Sequence, residues 1–268
     1  MTDAAPHPAA PSGLTSRSFT AWPAWADLSL DVVHYGPDLP TEAELRLLGR
    51  LEGKRVLELG CGGGPTAVAL AKAGAKVIAV DSSTDQLGHA RRLAEREAVN
   101  VELHHGDFAD LAWVRGDTID AVVSIYALGM VADVGRVFRQ VHRVLRPDGP
   151  IVIAIPHPAW RALDPGDQSV TPSGSSGGGP HPNAGGPPTL RRPYFDRSPR
   201  PWTEGGESGH DHPLTVADLF TALTRANFVV DTMLEPEPVA TAGHSRWWRD
   251  AMTWIPSTLI VRARKQGI

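Results

Sequence analysis

A glycine-rich turn beside an acid, with two further acids at the ends of later apolar runs, carries the strongest chemical signal in this sequence. The turn is Glu58-Leu59-Gly60-Cys61-Gly62-Gly63-Gly64, and it closes the apolar run 54–59 (KRVLEL). Glycine there lets backbone approach a ligand that Cβ atoms would hold off. A dinucleotide-binding turn needs a third Gly five positions after the first, and here that position is Pro65. Glu58 would repel a pyrophosphate and welcome an ammonium or sulfonium. The next run, 76–80 (KVIAV), ends in Asp81, whose carboxylate can accept hydrogen bonds from both hydroxyls of a ribose. The plainer reading of Asp81 is a helix cap. Gly106-Asp107-Phe108 sets an acid and an aromatic together, suited to binding and stacking on a base, with capping of the turn 108–113 as the plainer role of Asp107. Cys61 reads on its own as a small buried filler and not a reactive thiol.

Such groups need a scaffold that gathers them on one rim. Thr41 with Glu44 forms a capping box ahead of Leu45, Leu48 and Leu51. Strands are expected at 54–59, 76–80, 99–104, 119–125 and 151–155. Between them lie helical patterns: about 65–73, then a helix opened by Ser83 and Gln86 with Leu87, Ala90 and Ala94 on one face. The third has Val134, Val137, Phe138, Val141, Val144 and Leu145 at the spacing of one buried face, and Arg146-Pro147-Asp148-Gly149 stops it. Thr215 and Asp218 open a last helix that turns Leu219, Phe220 and Leu223 inward. Strands alternating with helices indicate right-handed crossovers and a parallel sheet covered on both faces, with ligands at the carboxyl ends of the strands.

At this point the chain resembles the class I S-adenosylmethionine-dependent methyltransferases of the small-molecule type. Four matches in order carry the likeness: VLELGCGGG at 56–64, VDSS at 80–83, GDF at 106–108, and DAVVSIYALGM at 120–130 running into VHRVLRPDGPIVIAIP at 141–156. The resemblance implies an α/β, doubly wound, mostly parallel seven-stranded sheet, Rossmann-like, with a reversed last strand; 228–234 and 259–263 are the candidate final strands. It implies S-adenosylmethionine as cofactor, with Glu58, Gly60, Cys61, Gly62 and Gly64 at its methionine end. Asp81 then holds the ribose, Ser82 flanks the adenosine, and Asp107 with Phe108 meets the adenine. Ser124 and Tyr126 line the space around sulfonium and acceptor, and Tyr35 belongs to a segment closing over the cofactor.

Methyl transfer from a sulfonium needs alignment and dryness more than covalent help, but a hydroxyl or ammonium acceptor needs a base. His157 is the expected catalytic base, at the end of the fifth strand in Ile155-Pro156-His157-Pro158, and Tyr126 is the second candidate. Tyr194 and His210-Asp211-His212 are weaker ones. Neighbours His104 and His105 would point to opposite faces of a strand, one to the surface and one to the core, and no histidine or acid spacing suits a metal.

Composition limits the partners. The chain has 268 residues, a net charge of -4, and one Cys, which excludes a disulfide framework. No apolar run reaches the roughly 18 residues of a membrane span, and no basic footprint for DNA appears, so a cytoplasmic enzyme with a small-molecule acceptor is expected. With 27 Gly and 24 Pro, about a fifth of the chain against a usual share of about 12%, some stretches must be loops. Residues 1–20 read as a disordered tail and 21–268 as a single domain. Within it, 157–213 is a Gly/Pro-rich insertion or acceptor lid. Its Trp160, Tyr194, Phe195 and Trp202 suit an apolar wall, and its Arg191, Arg192, Arg197 and Arg200 suit an acid or phosphate unless they are a solvated face. The second insertion, 235–258, carries Trp247-Trp248, which would complete the pocket or a homodimer contact.

Overall fold

The computed structural model describes residues 28–163, 188–204, 207–239, 244, 245 and 247–267. The expected tail and the Gly/Pro-rich stretch 164–187 lie outside these. Strands β1 (Arg55–Leu59), β2 (Lys76–Asp81), β3 (Val101–His105), β4 (Ala121–Ile125) and β5 (Pro150–Pro156) pair in parallel. A separate hairpin, β6 (Arg200–Glu204) with β7 (Glu207–Asp211), follows, and β8 (Phe228–Leu234) and β9 (Thr258–Lys265) complete the main sheet. Its order is β3-β2-β1-β4-β5-β9-β8, and β9 runs antiparallel to both neighbours. This is the doubly wound sheet with a reversed last strand that the sequence implies. The order reverses between β1 and β4, and a crevice opens at the carboxyl ends of such neighbours because their crossovers leave to opposite faces.

The helices are α1 (Glu42–Leu45), α2 (Pro65–Lys72), α3 (Thr84–Arg96), α4 (Val134–Val144) and α5 (Val216–Arg225). Period-two alternation splits the strands between two cores. Leu57, Leu59, Ile153 and Val261 meet Val137, Phe138 and Val141 of α4 and Leu219 and Leu223 of α5. Val56, Val123 and Val152 meet Ala67 and Leu70 of α2 and Tyr35 and Leu47 of the N-terminal segment. Gly64 caps α2 from the left-handed region (φ 87), Ser83 caps α3 by accepting from the Gln86 N–H, and Thr215 with Asp218 forms a capping box on α5.

Three expectations differ from the structure. The helix opened by Thr41 stops after four residues, at Arg46 in the left-handed region (φ 52). Glu42 causes this: its carboxylate accepts from the Leu47 and Leu48 N–H groups at 2.9 and 2.8 Å, so the chain folds back over the side chain. Phe220 is exposed, while Leu219 and Leu223 are buried, because one face of α5 is all that the sheet covers. Neither His104 nor His105 is core; His104 stacks on Trp113 at 3.9 Å, and the His105 ring lies 3.1 Å from the Ser82 carbonyl.

Candidate active site

A cleft of about 810 Å³ opens at the carboxyl ends of the strands. Gly60, Gly62, Asp81, Ser82, Asp107 and Phe108 line it, so the structure brings together six of the residues singled out in the sequence. The first turn of α3 from Ser83 to Gln86, and Met130, Val131 and Ala132 after β4, continue the wall. The hairpin closes it with Trp202, Ser208, Gly209 and His210.

The loop after β1 is held by backbone, and Asp81 is its keystone. Gly60 N–H donates to the Val80 carbonyl at 2.8 Å. The Asp81 carboxylate accepts from the Gly62 N–H at 2.8 Å and from the Ser83 N–H at 2.9 Å, tying the glycine loop to the start of α3. Asp81 thus braces the two loops and lines the cleft, while the cap of α3 is Ser83. Asp107 also lines the cleft, and its carboxylate accepts from the Ala109 N–H at 2.7 Å, the turn-capping role. Packing within the chain already requires glycine at two positions. A Cβ on Gly60 (φ +74) would lie 2.2 Å from the Ala127 Cβ, and one on Gly64 would lie 2.8 Å from the Ala90 Cβ.

Glu58 is fully buried beneath this loop, and neither carboxylate oxygen has a hydrogen-bond partner among the described residues. Burial, then the charge of Asp81, pushes its pKa up to about 8. The Thr66 hydroxyl and Ala67 N–H at the start of α2 pull the other way without completing a bond of good geometry. An orphaned acid next to a cleft walled by acceptor side chains fits a ligand with cationic groups and ribose hydroxyls.

The remaining expected site residues are elsewhere. Tyr35 is fully buried, its hydroxyl donating to Glu42 at 2.5 Å. Cys61 packs into the core, and burial raises its thiol pKa. Ser124 donates to the Leu59 carbonyl at 3.1 Å, a bond between neighbouring strands. Neither expected catalytic residue lines the cleft. Tyr126 is fully buried with φ 57, its hydroxyl 2.5 Å from the Thr258 Oγ1, and burial raises its pKa. His157 is buried as well: its Nδ1 accepts from the Ala159 N–H at 3.0 Å, which leaves the proton on Nε2, 2.8 Å from Glu235. Burial lowers its pKa, against the opposing pull of Glu235. A lone pair already used by a backbone donor cannot take a proton from an acceptor, so the base assignment to His157 does not fit this geometry. Tyr194 accepts from the Val216 N–H at 3.3 Å, and Trp247 is core.

Sequence reasoning put Trp202 in an apolar wall of an acceptor lid but missed the hairpin that carries it and its partners Ser208 to His210. Nothing local ties 200–211 to β1; the link is tertiary. The His212 N–H donates to the Gly129 carbonyl at 2.6 Å, the half-buried Arg161 and the buried Asp211 form an ion pair, and Arg197 pairs with Asp218 at 2.8 Å. No group of three potential metal ligands occurs among the described residues, and none of their helices is long and apolar enough to cross a membrane.

Residues 56–149 match a family model described as a methyltransferase domain. A ubiquinone biosynthesis O-methyltransferase from Azorhizobium caulinodans is 32% identical over 123 residues, 46% of this chain and 46% of that protein. The chain therefore spans about half the length of the curated relatives it matches. Among solved structures, an S-adenosylmethionine-dependent methyltransferase from Mesorhizobium loti is similar at 26% identity and a TM-score of 0.60, covering 83% of this chain and 96% of that one. A putative S-adenosylmethionine-dependent methyltransferase from Listeria monocytogenes is similar at 24% identity and a TM-score of 0.63, covering 83% and 95%. Residues 56–149 are thus similar to a methyltransferase domain, and the chain shares the fold of these S-adenosylmethionine-dependent methyltransferases.

Proposed function

We propose that this protein is an S-adenosylmethionine-dependent methyltransferase that methylates an O or N atom of a small-molecule acceptor. The observation that carries the reading is the orphaned Glu58 carboxylate beneath a cleft that unites Gly60, Gly62, Asp81, Asp107 and Phe108. Pro65 stands where a dinucleotide site needs glycine, and it starts α2 without an N–H to lose. S-adenosylmethionine, when bound, supplies an activated methyl group on a sulfonium. The chain's residues do the rest. Asp81 accepts ribose hydroxyls. Asp107 and Phe108 hold the base, and Glu58 balances positive charge at the methionine end. Met130, Val131 and Trp202 exclude water from the line of transfer. The O-methyltransferase name of the Azorhizobium relative supports a hydroxyl acceptor.

Calorimetry with S-adenosylmethionine, S-adenosylhomocysteine and NAD tests this. We expect the first two to bind and NAD not to. Asp81→Asn should weaken S-adenosylhomocysteine binding by about 1–3 kcal/mol, the cost of unpairing buried polar groups. Unchanged affinity in that variant would remove Asp81 from the site.

A further inference from the structure

We infer that the half of the cleft built by the β6–β7 hairpin receives a planar, ring-bearing acceptor that is neutral or positively charged, and that it selects against acidic acceptors. The inference rests on the methyltransferase reading above and goes on to name the acceptor class.

Three observations converge. The first is room: about 810 Å³ lies toward the upper end of the range of roughly 300–1,000 Å³ for sites of drug-sized ligands, so cofactor and acceptor can share the cleft. The second is shape. Trp202 and Gly209 are cross-strand partners, and a Cβ on Gly209 would come 2.5 Å from Trp202 Cζ2 and 2.9 Å from Cε2. The half-buried indole therefore packs against the bare backbone of Gly209 and contributes to the wall, with Met130 and Val131 supplying further apolar lining. An aromatic and apolar wall of this kind suits a planar ring.

The third is charge. The described lining holds three carboxylates, Asp81, Asp85 and Asp107, and no Lys or Arg. The nearby arginines have other partners: Arg197 on Asp218, Arg161 on Asp211, and Arg200 on Asp196 at 3.8 Å and the Arg161 carbonyl at 3.3 Å. A carboxylate or phosphate on the acceptor would lose hydration on entry and gain no Lys or Arg from the described lining, whereas an ammonium would be attracted to Asp85, the lining carboxylate that the cofactor does not engage.

The test uses two catechols that share a ring and differ in side-chain charge: dopamine, and 3,4-dihydroxyphenylacetate. Binding of S-adenosylhomocysteine is measured first, by calorimetry; its failure would overturn the methyltransferase reading itself. With that ligand bound, each catechol is titrated by tryptophan fluorescence and calorimetry. Dopamine should bind about tenfold more tightly or better at low ionic strength, and the gap should narrow in about 0.5 M salt as screening sets in. Asp85→Asn should narrow it too. Trp202→Ala should weaken dopamine binding about tenfold and leave S-adenosylhomocysteine affinity within a factor of a few, while Trp202→Phe restores most of it. The inference is overturned if the acid binds as tightly as the amine, if neither catechol binds to the loaded protein, or if Trp202→Ala changes nothing.

Discussion

Two buried titratable side chains show how environment sets the work of a residue. Glu58, with its pKa raised to about 8, is protonated in the free protein at neutral pH, whereas in the unfolded chain it ionises near 4.5. Folding then takes up a proton between those values, so the contribution of Glu58 to stability falls as pH rises from about 4.5 to 8 and changes no further above that. A cationic ligand reverses the preference by favouring the carboxylate. S-adenosylmethionine affinity should therefore rise with pH up to about 8, with proton release visible as buffer-dependent binding enthalpy at pH 6.5, and Glu58→Gln should abolish that component. Equal enthalpies in buffers of different ionisation heat would refute it. His157 has the opposite sign: its lowered pKa means that its contribution is present above the ordinary value of 6.5 and is lost as pH falls through the folded value. His157→Ala should cost about 1–3 kcal/mol in denaturant unfolding at pH 7.5, since it leaves the Ala159 N–H without its acceptor. Cofactor affinity should stay within a factor of a few. Position in the sequence suggested a base on the rim, and only the hydrogen bonds of both ring nitrogens reveal a strut.

At the level of elements, the hairpin is the part that sequence patterning reads least well. Its strands are short, Gly- and Pro-bearing, and paired only with each other, so they show little apolar periodicity. The Arg161–Asp211 pair and the His212 bond to Gly129 fasten it instead. Burial, then the charge of Arg200, lowers the Arg161 pKa to about 10. Asp211→Ala should strand the guanidinium and release the hairpin locally, because undocking it costs less than keeping an unpaired buried charge. Limited proteolysis should then cut within 200–211 several times faster, with the main unfolding transition shifted by only a few degrees; wild-type cleavage rates would show that the pair does not hold the hairpin. The short α1 teaches the same point: its capping box was legible, but its end was set by Glu42 reaching forward to Leu47 and Leu48.

Across the whole molecule, two cores on opposite faces of one sheet make the fold cooperative. Phe138 of α4 is fully buried and meets Phe228 of β8 edge to face at 6.5 Å, coupling the parallel half of the sheet to its antiparallel end. Phe138→Ala should cost about 3–5 kcal/mol of unfolding free energy, read in a single urea transition. Two separate transitions would mean that the halves unfold independently. The sequence by itself determined the strand and helix alternation, the sheet class, the glycine turn and the acids at the ends of β2 and β3. Those features depend on local period and on residues near each other in the chain, which pattern reading captures. Only the tertiary structure decided which side chains share the cleft. It turned Tyr126 and His157 into buried hydrogen-bonding groups, and it brought Trp202 and His210 to a wall more than a hundred residues away from Gly60. The physical reason is that a short polar hairpin docks through a few specific bonds, and a buried imidazole is defined by the donors around it; neither leaves a periodic trace in the sequence.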